Sequence, residues 1–120
     1  MDVVSAQLVG AGGALGALAR YYVGVLVPET EFPRSTLAVN VLGSFALGLL
    51  TFANAGETWL LLLGTGACGA FTTFSSFAYE TVRLAENGHT RLAAANAVVN
   101  LLGSFGAVGV AWVAADLSVW

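Results

Sequence analysis

Two uncharged polar stripes run along this chain. Asn40, Ser44 and Gly48 fall at i, i+4 and i+8, and Asn96, Asn100 and Ser104 repeat the spacing, which puts each set on one helix face. A carboxamide or hydroxyl in an apolar stretch needs a partner or a wet cavity, so the stripes serve either as glue between helices or as the wall of a polar pathway. A third segment is denser still: Gly66-Ala67-Cys68-Gly69-Ala70-Phe71-Thr72-Thr73-Phe74-Ser75-Ser76-Phe77. Gly and Thr lower helix propensity, so an interruption is expected there, and the carbonyls it frees are hard ligands suited to a cation such as sodium. Phe71, Phe74 and Phe77, at i, i+3 and i+6, read either as a lipid-facing or core stripe or as anion-solvating edges. Aromatic edges carry partial positive charge; beside Asn and Ser donors they would hold a small anion without a fixed cation to trap it, as conduction requires.

Charged side chains add little chemistry. Glu80 and Arg83, three apart at the end of an apolar run, read as an ion pair on one face or as interface anchors. Arg20 either snorkels to the headgroups or draws anions into a vestibule. His89 has no second His, carboxylate pair or activated Ser at a spacing that suggests zinc binding or catalysis, so an enzyme is not expected. Cys68 is the only cysteine and reads as a small packing residue. A formal charge of -3 with no Lys argues against a nucleic-acid surface, which needs clustered cations.

The elements that position these groups follow from where charge is missing. With 58% hydrophobic and 9% charged residues, the chain has more apolar surface than a soluble domain of 120 residues can hide. Uncharged runs cover Val3 to Ala19, Ser35 to Gly56, Thr58 to Tyr79 and Leu92 to Ala115, each near the roughly 17 to 25 residues of a membrane-crossing helix. The expected fold is an all-α integral membrane protein: one domain over 1–120, with spans near 3–27, 35–54, 58–84 and 91–115 and the third broken near its middle. No Lys or Arg precedes Arg20, so the first run is read as a mature span rather than a secretory signal. Short linkers make neighbouring spans antiparallel. All four basic residues are then on or toward the side of the linkers carrying Arg34 and Arg83/Arg91, and the positive-inside rule puts that side in the cytoplasm. The heptapeptide from Val39 to Phe45 recurs from Val99 to Phe105, identical at six of seven positions, so the second and fourth spans look like a duplicated hairpin element or like helices in equivalent surroundings.

Gly12-Gly13-Ala14-Leu15-Gly16-Ala17-Leu18-Ala19-Arg20-Tyr21, Thr36-Leu37-Ala38-Val39-Asn40-Val41-Leu42-Gly43-Ser44-Phe45 and the Gly66 to Phe77 segment, in this order, resemble the fluoride channel family called Fluc or CrcB. The resemblance implies an antiparallel dimer of four-helix subunits with two fluoride pores in a cell membrane. It also implies a central sodium ion that is structural and not transported. By position, Phe74 and Phe77 match pore phenylalanines and Asn40 a pore-lining asparagine. Gly69 and Thr72 match the residues whose carbonyls hold sodium, and Ser75, Ser76 and Ser104 match a polar track. The implied activity is passive: neutral HF enters cells and dissociates, and the membrane potential drives fluoride out. The second subunit is either another copy of this chain or an oppositely oriented homologous subunit; the four-to-none Arg bias sits badly with a subunit inserted both ways and points to the latter, with this chain in a fixed orientation. Two other readings stay open: a proton-coupled exporter, with Glu80 as its one candidate carboxylate, and a purely structural membrane subunit.

Overall fold

The computed structural model describes residues 1–118, so the last two residues of the expected 1–120 domain lie outside the described residues. All regular structure described is helical. Four stretches are long and apolar enough to cross a membrane: Val3–Leu26, Arg34–Phe52, Glu57–Glu86 and Thr90–Leu117.

Helix α1 (Val3–Leu26) begins where Asp2 caps it, its Oδ1 accepting the Ser5 N–H at 2.7 Å. That bond holds the Asp2 carboxyl below the usual carboxylate range. Helix α2 (Arg34–Phe52) stops two residues short of the expected end because Asn54 takes a left-handed φ of 55°. The third stretch is composite. A single turn, α3 (Glu57–Trp59), leads into a π-helix over Leu60–Cys68, and a further turn, α4 (Gly69–Phe71), follows. Thr72 (ψ 160°) and Thr73 (φ -151°, ψ 115°) are extended. Helix α5 (Phe74–Glu86) then starts afresh, and its end is set by Gly88 at φ 84°. Helix α6 (Thr90–Leu117) closes the chain.

Packing divides into two close helix pairs, α1 with the π-helix and α2 with α6. In the first pair backbones nearly touch: a Cβ on Gly12 would lie 1.8 Å from the Leu62 carbonyl oxygen, and one on Gly16 would lie 2.0 Å from that of Ala67. One turn further along α1, Arg20 reaches the Thr72 carbonyl. Positions on α1 therefore advance by four while their partners advance by five, a register that the wider turns of a π-helix supply. In the second pair Gly48 abuts the Ala111 methyl and Gly103 abuts Val41. The echoed heptapeptides meet here, and their equivalent asparagines, Asn40 and Asn100, hydrogen-bond to one another. Large apolar side chains such as Leu15, Tyr21, Leu101, Leu102 and Val110 remain exposed, as expected of helices whose outer solvent is hydrocarbon.

The linkers before α2 and before α6 lie together at one end of the bundle, joined by His89 Nε2 and Glu31 Oε1 at 2.6 Å. Glu80 does not make the expected ion pair with Arg83. Its Oε1 accepts from Thr36 Oγ1 at 2.9 Å, and its Oε2 is buried without a partner. Thr36, on a neighbouring helix, competes with a side chain one turn away on the same helix, which i, i+3 spacing alone does not reveal.

Candidate functional site

The asparagines in the middle of the bundle are organised around the two extended residues. Leaving the helix at Thr72 strands backbone groups that must be paired, and Asn40 supplies most of the pairing. Its Oδ1 accepts the Thr73 N–H at 2.8 Å, and its Nδ2 donates to the Thr73 carbonyl at 3.2 Å and to Asn100 Oδ1 at 3.1 Å. Asn100 in turn donates to Asn96, to the backbone oxygen at 2.9 Å and to Oδ1 at 2.8 Å. Asn96, fully buried, donates to Thr81 Oγ1 at 2.9 Å. The asparagines form one relay running from the interruption into α5, with carboxamides oriented head to tail.

The interruption also takes the helical donors from the carbonyls of residues 69–72, which lie outside that relay. The Thr73 N–H, which would close a helical turn on the Gly69 carbonyl, is taken by Asn40. The Ser76 N–H, which would do the same for Thr72, is taken by Thr73 Oγ1 at 3.1 Å. The Gly69 and Thr72 oxygens are thus without their helical donors, and Thr72 O already attracts a cation, the Arg20 guanidinium, whose Nη1 lies 3.4 Å away. A Cβ on Gly69 would find no atom within 4 Å, so its surroundings are open. These residues fit a hard cation, which prefers uncharged or anionic oxygen ligands. Among the described residues, no group of three His, Cys, Asp or Glu could hold a metal instead.

Next to the interruption lies a partly open groove of about 730 Å³ lined by residues including Asn40, Ser44, Phe74, Phe77, Asn100, Ser104 and Phe105. The Phe74 and Phe77 ring centroids are 5.7 Å apart with planes at 55°, and Phe74 is 79% exposed. The two stripes read from sequence therefore split by depth. Their asparagine ends bond one another, Ser44 and Ser104 sit on the groove wall, and Gly48 is spent on packing against Ala111. Ser75 and Ser76 are not on that wall. They occupy the first turn of α5, where Ser76 Oγ accepts from Thr73 Oγ1 at 3.1 Å and Ser75 Oγ lies 3.3 Å from it. Arg20, read as a vestibule residue, is exposed but directed at the Thr72 carbonyl. Sequence reasoning passed over Thr73 as a hub and Thr36 and Thr81 as partners. Their signal was present, since each falls within hydroxyl reach of a stripe, but a lone Thr in a span gives no direction.

Four apolar stretches around a polar centre with a groove define a multi-pass membrane protein. The chain belongs to the CrcB family: the family described as "CrcB-like protein, Camphor Resistance (CrcB)" matches residues 7–112. It is 60% identical over 108 residues to a Haloarcula marismortui protein named fluoride-specific ion channel FluC 2, covering 90% of this chain and 91% of that one. It is 54% identical over 107 residues to fluoride-specific ion channel FluC 1 of Halobacterium salinarum, covering 89% and 90%. Against fluoride-specific ion channel FluC of Pyrococcus abyssi it is 45% identical, covering 85% and 88%. These relatives are ion channels, not enzymes.

Proposed function

We propose that this chain is a subunit of a passive, fluoride-selective channel that lowers cytoplasmic fluoride. The observation that carries the reading is the groove beside the interrupted helix, where Ser44 and Ser104 hydroxyls and the Phe74 and Phe77 rings line one space. Hydroxyl donors and positive ring edges replace the hydration shell of a small anion through several weak contacts, so the ion is held loosely enough to leave. Helix α5 begins at Phe74, which turns the positive end of its backbone dipole toward the same region. The relatives' names supply the identity of the ion.

The working unit is an antiparallel pair of subunits. The Gly69 and Thr72 carbonyls bind a structural sodium ion at the centre of that pair, and the ion is not transported. Support comes from the donor set: the Gly69 and Thr72 carbonyls of one chain, both without their helical donors, are fewer oxygens than a hard cation gathers, and a second subunit brings its own. Bound there, sodium would neutralise converging carbonyl dipoles. The Arg-bearing linkers face the cytoplasm in this chain, and its partner is an oppositely oriented homologous subunit.

Reconstitution tests the reading. Phe74→Ile and Phe77→Ile chains assembled with the partner subunit in liposomes, with potassium and valinomycin setting the voltage, are expected to lose most fluoride efflux by ion-selective electrode while still cross-linking as dimers. Efflux at the unsubstituted rate from both variants would contradict it.

A further inference from the structure

Arg20 has no carboxylate partner among the described residues; the one ion pair found there joins His89 and Glu31. Its guanidinium instead donates to the Thr72 carbonyl at 3.4 Å, an oxygen that lost its helical donor to the interruption. The placement is built rather than incidental. The Gly12 and Gly16 backbone contacts with Leu62 and Ala67 fix the height of α1 against the third span, and the next turn of α1 brings Arg20 level with Thr72. A carbonyl flanked by a guanidinium on one side and a free alkali cation on the other would hold two positive charges within a few ångströms, with no acidic group paired to either.

We propose that Arg20 is a positioning residue that competes with the free cation: it occupies the Thr72 carbonyl before the cation arrives and is displaced when the cation binds. The inference rests on the sodium reading above and adds a coupling to it. Displacement frees the guanidinium from Thr72, which lines the groove, so assembly around the cation and release of a mobile positive charge beside the groove become one event. Arg20 then plays both of the parts its position suggests, holding a backbone atom in the unassembled subunit and attracting anions in the assembled one. Loss of the tether removes a competitor, so sodium should bind more tightly without it.

The experiment is a sodium titration in detergent of the assembled pair, the full-length chain purified with its partner subunit, with N-methyl-D-glucamine holding ionic strength constant. Thermal unfolding and the cross-linked dimer fraction are read for the unsubstituted chain, Arg20→Gln and Arg20→Lys. The half-saturating sodium concentration is expected to fall about tenfold in Arg20→Gln, the size of one lost charge-assisted hydrogen bond, and to stay within about twofold in Arg20→Lys, which keeps the competing charge. Arg20→Met is a second neutral replacement should the Gln variant fail to assemble. An unchanged or raised sodium requirement in the neutral variants overturns the inference while leaving the sodium site standing. An unsubstituted protein whose unfolding and dimer fraction ignore sodium overturns both, and fluoride efflux then judges the channel reading separately.

Discussion

Asn40 shows how a side chain picked out as a donor can be occupied by the backbone. Its carboxamide meets both polar groups of Thr73 and one end of Asn100, so replacing it with Leu strands a backbone N–H and a carbonyl in the middle of the bundle. Asn40→Leu is expected to destabilise the subunit by about 2 to 6 kcal/mol, from a penalty of about 1 to 3 for each of the two stranded groups, and thermal unfolding in detergent measures it. Ser104→Ala, which removes a hydroxyl from the groove wall, is expected to leave the melting temperature within a few degrees while slowing fluoride efflux. The i, i+4 spacing made both stripes legible because it fixes a face. It could not tell which residues on that face are deep, since burial is decided by the helix opposite, and so Asn96 and Asn100 looked like Ser104 until α2, α5 and α6 were seen together.

Charge-free runs were enough to locate the four long helices at the scale of elements, because in lipid only helices or closed barrels can pair every backbone group. What the sequence did not announce is the π-helix over Leu60–Cys68. Four consecutive leucines are good α-formers, and the wider winding reflects a register imposed by α1, whose glycines need a partner carbonyl every five residues. Gly16→Val tests this contact. With the added Cβ 2.0 Å from a backbone oxygen, nothing can yield but the helix pair itself, and a loss of about 3 kcal/mol or more, or failure to assemble, is expected. Gly24→Ala on the same helix meets no atom within 4 Å and is expected to unfold at the temperature of the unsubstituted chain. Equal melting points for the two variants would show that the close pairing of α1 with the third span is not what holds them.

For the whole molecule, chain order and short linkers put the two Arg-bearing linkers at one end, and the contact between Glu31 and His89 closes that end. Linkers so joined form a unit that crosses, or stays out of, the membrane together. Single cysteines introduced as Glu57→Cys and His89→Cys, in a Cys68→Ala background, are expected to react with impermeant maleimide from opposite sides of the membrane only. Labelling of each from both sides would reject a fixed orientation and favour a homodimer. The broad function was legible at this scale because three motif segments in three different spans keep their order, whereas pairing between subunits leaves no mark in a single chain. The channel reading predicts one result above all, in efflux of fluoride and of chloride from liposomes containing the assembled protein, at equal pH inside and out and with voltage set by valinomycin. It predicts rapid, voltage-driven fluoride loss with chloride retained. Vesicles that keep both ions, or that release fluoride only when a proton gradient is imposed, would contradict it.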